Sequence, residues 1–364
     1  LADRLVEEYT RSFYLSAKSK IGYSLVSNIY VNGEKAQWKR NKINLDIIEI
    51  NFAKPLKEGI VNIDLSYIVK LPSSKFTGYG KIKKNQYFLE NFFITLSKFD
   101  DYKQIFYSNL DLEEVPINSS QFDIELKIDK DLNVFSSLDL INSNKKNGEV
   151  FYLFKSNKIK QVIFLIGDGE LKLNEFTLDE KLININLNLK DFKFESQKRS
   201  VKNIFRFIES IDAIEQPSKI LIKNEKYSKR PFYGLSIMPT FLNSFSRNFE
   251  FEIKMLSVYL QFLIKENFNL DSRKDYWFES GLYYYLMLKY LKNKYPDKLI
   301  LDEILKQPIL RFFLRGYKIS SIHSDDLFLH FHEFMVRINI HQEITLPKNE
   351  LTRYNEQIGS PSQN

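Results

Sequence analysis

The chain has no cysteine. A disulfide framework, a thiolate zinc site and a cysteine nucleophile are therefore all excluded. That absence suits an oxidising compartment as well as a reducing one, so it places the protein in neither. Tryptophan is scarce, with two residues against 31 Phe and 21 Tyr, and there are four histidines, the first at His323. Chemistry that needs imidazole is thus confined to the end of the chain. No apolar run approaches the roughly 18 residues that a membrane-spanning helix requires, and no signal peptide is visible. The first residue is Leu rather than Met, so the expectation is a fragment, a mature form or a trimmed chain.

What is present suits a folded protein. At 364 residues the chain is comfortable for two domains, and 43% hydrophobic with 15% aromatic residues is ample for packed cores. Charged residues make up 27%, which argues against wholesale disorder. The net charge of +7 is mild over this length. Lys and Glu are mixed along the chain, without the basic stripe of a nucleic-acid binder, so a solvated surface and no nucleic-acid partner are expected.

Up to about residue 196 the sequence reads as strands. Val61–Tyr67, Phe122–Ile128 and Ile183–Leu189 alternate apolar and polar residues, as half-buried antiparallel strands do. Turn signals separate the runs at Asn32-Gly33, Pro72-Ser73-Ser74, Asn144 to Gly148, and Gly167-Asp168-Gly169. The last of these opens GDGELK, which lacks the third glycine of a dinucleotide fingerprint and reads as a tight hairpin turn. Near residue 200 the period changes. Val201, Ile204, Phe205, Ile208 and Ile211 fall at helical spacing, with Ser200 as the expected N-cap. A short strand at Lys219–Lys223 follows. Phe249–Phe268 reads as a buried helix, and Leu282–Tyr295 as another, entered by a turn at Ser280-Gly281 and stopped by Pro296. Helical segments continue past Leu327. The predicted boundary lies near residue 197: an all-β domain over 1–197, then a mostly helical one over 198–364. The tail IGSPSQN reads as loop.

A strand-rich domain, a helix, then SKILIKNEKYSKRPFYGLSIMPTFL, then a helix pair closed by YWFESGLYYYL, resembles the aminopeptidase N family of zinc metallopeptidases, the gluzincins. The likeness covers most of the chain and is strongest from Val201 to Pro296. YFLENFFITL, YSNLDLEEV and FMVRINIHQEITLPKNELTRYNEQI resemble a bacterial branch of that family. The resemblance implies an α+β fold, with an N-terminal saddle-like antiparallel β domain before a thermolysin-like, mostly helical domain. The resembled proteins continue further, so the C-terminal part is expected to be incomplete. The resemblance also implies placement in the cell envelope.

The family's chemistry needs H-E-x-x-H on one helix, whose two His bind zinc while the Glu acts as general base. A Glu in W-x-x-E-G supplies the third ligand, and a Glu in G-x-M-E-N holds the substrate's amino terminus. None survives here. With Gly281 and Trp277 as anchors, the third ligand falls on Ser280, and Glu279 lies one residue early. One residue turns a helical side chain by about 100°, too far for a zinc–carboxylate bond of ~2.0–2.2 Å to absorb. The H-E-x-x-H window falls on Ser257-Val258-Tyr259-Leu260-Gln261, with Ser257, Val258 and Gln261 at the degenerate positions. The amine-binding motif falls on Gly234-Leu235-Ser236-Ile237-Met238, where the apolar Ile237 cannot hold an ammonium. Glu279 therefore reads as a surface or helix-start acid, favourable near the positive end of a helix dipole.

Other motifs fail too. His332-Glu333-Phe334-Met335-Val336 begins like H-E-x-x-H but ends in Val and comes after the Trp-Gly element. His330 and His332 would share a face only on a strand. Glu250 and Glu252 near a helix start suit its dipole, and nothing suggests a catalytic carboxylate pair. Gly234 to Met238 is no serine elbow, lacking the second glycine, and no P-loop occurs. The expectation is a metallopeptidase-like chain without intact catalytic residues or a cofactor. It would bind a peptide or protein in a groove formed by Gly234 to Met238 and Trp277, beside Ser280, or act as a scaffold, without spanning a membrane. Two alternatives stay open. One is an active zinc peptidase with relocated ligands drawn from Glu279, His330 and His332, helped by His323 or His341. The other is a structural fragment whose groove is completed by a missing segment.

Overall fold

The computed structural model describes residues 17–52, 54–74, 78–100, 103–104, 118–169, 171, 173–178, 181–186, 194–223, 246–299, 306, 312, 321–323, 326, 330, 333 and 336–352. The chain divides into two compact units, Leu1–Leu171 and Lys172–Asn364.

In the first unit every pairing between the described strands is antiparallel. A four-stranded sheet runs in the order Asn133–Ser136, Ile163–Gly167, Gln86–Glu90, Gly80–Lys83. A three-stranded sheet runs Ser120–Asp129, Glu149–Ile159, Asp139–Lys146. The alternation read at Phe122–Ile128 turns Phe122, Ile124, Leu126 and Ile128 inward, against a core of Leu89, Leu138, Phe154, Phe164 and Ile166. Phe154 and Phe164 meet edge to face at 5.3 Å. Ile163–Gly167, flanked on both sides, is wholly buried. A third sheet pairs Tyr23–Val31 with Ile63–Lys70 and Glu34–Lys35.

The turn chemistry is local. Asn32-Gly33 and Asn147-Gly148 both take positive φ at each residue, as a two-residue hairpin turn that follows the strand twist demands. At the second turn the strand holds through Lys146, so only two of the five residues from Asn144 to Gly148 form the bend. GDGELK is not a hairpin. Leu171 N–H donates to the Asp168 carbonyl at 2.9 Å, which closes a turn. The flanking strands, however, belong to different sheets, because Ile163–Gly167 takes Gln86–Glu90 and Asn133–Ser136 as partners. Gly80 sits at φ 104°, and a Cβ there would lie 2.1 Å from the Pro72 carbonyl oxygen. That oxygen also accepts the Lys81 N–H at 2.7 Å and cannot retreat freely. Gly80→Ala should therefore cost roughly 2–3 kcal/mol, read as a lower midpoint in urea unfolding; an unchanged midpoint would refute the strain.

The second unit joins one sheet to helices. The hairpin Asn174–Leu178 and Lys181–Asn186 pairs, through its second strand, with Lys219–Lys223 in parallel. A parallel partner needs a crossover, and helix α1, Phe194–Glu209, lies between them in sequence. Alternation at Ile183 to Asn186 predicts a wet face, yet Asn184 is buried along with Ile183 and Ile185. Central position in the sheet, with a partner on each side, accounts for part of that. Residues 187–189 of the expected strand lie outside the described residues.

Helix α1 carries the expected stripe: Val201, Ile204, Phe205 and Ile208 are buried. Ser200 does not cap it. The helix begins at Phe194, whose ring stacks on Phe176 at 4.9 Å, and Ser200 is buried inside it. The polar run from Glu195 to Arg199 hides that start from a hydrophobic pattern. Helix α2 is Arg247–Asn267, capped by Ser246, whose hydroxyl accepts the Phe249 N–H at 3.4 Å. Helix α3 is Tyr276–Lys294. It starts before the expected Leu282 and passes straight through Ser280-Gly281 without a turn, since a single helical glycine costs only about 1 kcal/mol. The three helices and the sheet share one core that includes Ile183, Ile220, Phe205, Leu260, Leu263 and Met287. Among the described residues no helix is long and apolar enough to cross a membrane.

Candidate functional site

Helices α2 and α3 share one core, and the metal-site positions implied by the resemblance are carried on these two helices. Ser257, on α2, is buried and its hydroxyl is 2.6 Å from that of Tyr283 on α3. One turn or so further along α2, Gln261 is partly buried, and Val258 is buried among apolar neighbours. Ser280, on α3, is buried. Trp277 stands at the exposed start of α3, its ring 5.8 Å from that of Phe278 and edge-on to it.

Glu279 is in the first turn of α3, as a helix-start acid should be, but it is not a surface residue. Its side chain is 13% exposed, Oε1 lies 3.8 Å from the Lys265 ammonium of α2, and Oε2 is buried without a hydrogen-bond partner among the described residues. Helix packing, which the sequence cannot display, brings α2 over this residue.

These positions do not fit a zinc ion. Zinc takes imidazole, thiolate or carboxylate donors. Ser257, Val258, Gln261 and Ser280 offer two hydroxyls, an aliphatic group and an amide, and the Ser257 hydroxyl is already bonded to Tyr283. The carboxylate beside them faces an ammonium, whose charge opposes a second cation. Of the relocated candidates, His330 is half exposed and sits 3.8 Å from Glu333. His323 Nδ1 is 3.2 Å from the Pro296 carbonyl oxygen. His332 and the segment Gly234 to Met238, with Leu235, Ser236 and Ile237, lie outside the described residues. Among the described residues, no three His, Asp or Glu side chains converge as a metal site would require.

The strongest polar feature of these two helices is one that motif reading passed over. Glu252 is not a dipole acid at the mouth of α2. It is 3% exposed and holds three helical elements together. The Tyr290 hydroxyl of α3 donates to its Oε1, as does the Tyr295 hydroxyl at 3.0 Å, while Asn203 of α1 donates to Oε2 at 3.4 Å. Phe207 packs edge-on against Tyr290 and Phe249 against Tyr295. Burial first, then the adjacent Glu252 charge, pushes both tyrosine hydroxyls far above their ordinary range. Glu250, by contrast, is in the first turn of α2 and pairs with Lys254 at 2.7 Å. In the sequence, the signal for Glu252 was a carboxylate on the apolar stripe, flanked by Phe251 and Ile253.

No protein-family model matches the chain, and no curated protein matches it. Solved structures do. A mutant M1 zinc metallopeptidase from Deinococcus radiodurans matches over 94% of this chain and 71% of its own, with a TM-score of 0.50 and 12% identity. A mutant two-domain M1 zinc metallopeptidase bound to L-arginine matches over 93% of this chain and 71% of its own, at a TM-score of 0.49 and 11% identity. At such identity the likeness concerns the fold: this α+β chain resembles the M1 zinc metallopeptidases in architecture.

Proposed function

We propose that this chain is a metallopeptidase-like module that has lost its zinc chemistry and serves as a peptide- or protein-binding or scaffold element. In this reading the strand-rich part corresponds to the saddle-like domain and the helical part to the thermolysin-like domain. The groove lies beside Ser280 and Trp277, with Gly234 to Met238 along its edge. The observation that supports the reading is the set of side chains at the implied positions, Ser257, Val258 and Gln261 on α2 and Ser280 on α3, with Ser257 bonded to Tyr283. Fold alone does not fix function, so the reading rests on these residue types.

The test is metal content after loading with zinc and dialysis without chelator, run beside hydrolysis of aminoacyl and dipeptide substrates. A built zinc site binds with roughly 10–16 kcal/mol, so a true site retains its ion. The expected result is no retained zinc and no hydrolysis, with binding of short fluorescent peptides that Trp277→Ala weakens. One zinc retained per chain would overturn the reading and direct attention to Glu279, His330 and His332.

A further inference from the structure

Helix α1 turns its apolar side chains inward and presents a concentrated positive face outward. Lys198, Lys202 and Arg206 are exposed at four-residue spacing, and Arg199 is exposed beside them. Residues at that spacing are neighbours on one helix face. The row therefore spans ~12 Å at 1.5 Å per residue. None of the four makes an ion pair with a described residue. The chain pairs cations elsewhere: Lys39 with Glu49, Lys127 with Glu149, Lys155 with Asp123 and Lys254 with Glu250, all at 3.0 Å or less. Like charges at four-residue spacing weaken a helix, so a row without ion pairs among the described residues has a cost that interspersed acids would remove.

We propose that this face of α1 docks an acidic segment of a partner protein. The row is bounded by the exposed Glu195 at one end and by Glu209, which lies 3.8 Å from Lys181, at the other. A nucleic acid runs on past any short site with one phosphate after another, and both bounding carboxylates would repel it. A membrane surface favours a basic face interleaved with apolar side chains that insert. Here Val201, Ile204, Phe205, Phe207 and Ile208 are buried in the core instead. A short run of carboxylates matches both the sign and the limited length of the row. This surface is separate from the groove of the preceding reading, and the proposal stands or falls without it.

The experiment uses the whole chain and a fluorescein-labelled decaglutamate peptide, followed by anisotropy at low and at physiological salt. Binding should weaken as salt rises. Substituting Lys198, Arg199, Lys202 and Arg206 together by Gln, a helix former, keeps the helix. This variant should weaken binding at least about tenfold. A control removes the same charge from the exposed Lys158, Lys289, Lys292 and Lys294, again by Gln, and should leave affinity within about twofold. Equal weakening in both variants would reduce the effect to net charge and overturn the proposal, as would no binding at all. Competing arms with vesicles of anionic phospholipid and with single-stranded DNA complete the test. Tighter binding to either, lost with the α1 cations, would assign the face to that partner and overturn the acidic-protein assignment.

Discussion

Glu252→Ala should lower the stability of the second unit by about 3–5 kcal/mol. The substitution removes the acceptor for two tyrosine hydroxyls and one amide, and the bond from Tyr290 is buried. Hydrogen bonds to a charged group contribute about 1.5–3 kcal/mol each, and a buried donor left without a partner costs about 1–3 kcal/mol. These overlap, because Tyr295 is partly exposed and can turn to water. Glu252→Gln keeps one acceptor oxygen in nearly the same volume and should cost less, about 1–2 kcal/mol. The check is urea unfolding of both variants with the slope compared to wild type. Equal loss in the two would mean that neither the volume nor the acceptor oxygen kept by Gln contributes, and that the carboxylate charge is what Glu252 supplies. Tyr290→Phe then completes a double-mutant cycle, and a coupling near zero with Glu252→Gln would sink the network account.

Alkaline pH should unfold the protein from about pH 10 upward, more steeply than surface tyrosines would cause. Tyr259 and Tyr290 are each 2% exposed, and burial raises both hydroxyls well above the ordinary value near 10. Tyr259 donates to Gln216 Oε1 at 2.7 Å and stacks on Phe205, so its proton is held in place. The sign follows from linkage. The unfolded chain gives up these protons near pH 10 while the folded chain keeps them, so the unfolded state binds fewer protons there. The contribution is intact below pH 10 and is lost as pH rises toward the folded values. Each group removes up to about 1.4 kcal/mol per pH unit in that window. Tyr295, more exposed, adds less. Denaturant midpoints measured at pH 8, 10 and 11 test this, and a flat profile would refute it. Glu252→Gln should leave the slope between pH 10 and 11 nearly unchanged, because burial, the larger cause of the rise at Tyr290, remains.

Much of the strand-rich part was legible because its information is local. Alternation in Phe122–Ile128 states which face is apolar, and Asn32-Gly33 and Asn147-Gly148 state where the chain reverses through positive φ. The buried stripe of α1 was equally plain. Helix starts were not, because the evidence for them is polar: Glu195 to Arg199 extend α1 backward, Ser246 caps α2, and Tyr276 to Gly281 belong to α3. At the candidate site the residue types are legible in the sequence, since Ser257 and Gln261 carry no imidazole and Val258 no carboxylate wherever the helix is placed.

By itself, then, the sequence determined the identity of many of the described elements and most of their apolar faces. Only the tertiary structure decided that the hairpin ending at Asn186 pairs in parallel with Lys219–Lys223, that Glu279 faces Lys265, and that Glu252 lies in the core. The reason is physical. Periodicity is set by backbone geometry within a few residues, whereas burial of a carboxylate depends on which side chains arrive from elsewhere. Tyr290, Tyr295 and Asn203 come from positions far along the chain, and no local pattern around Glu252 announces them.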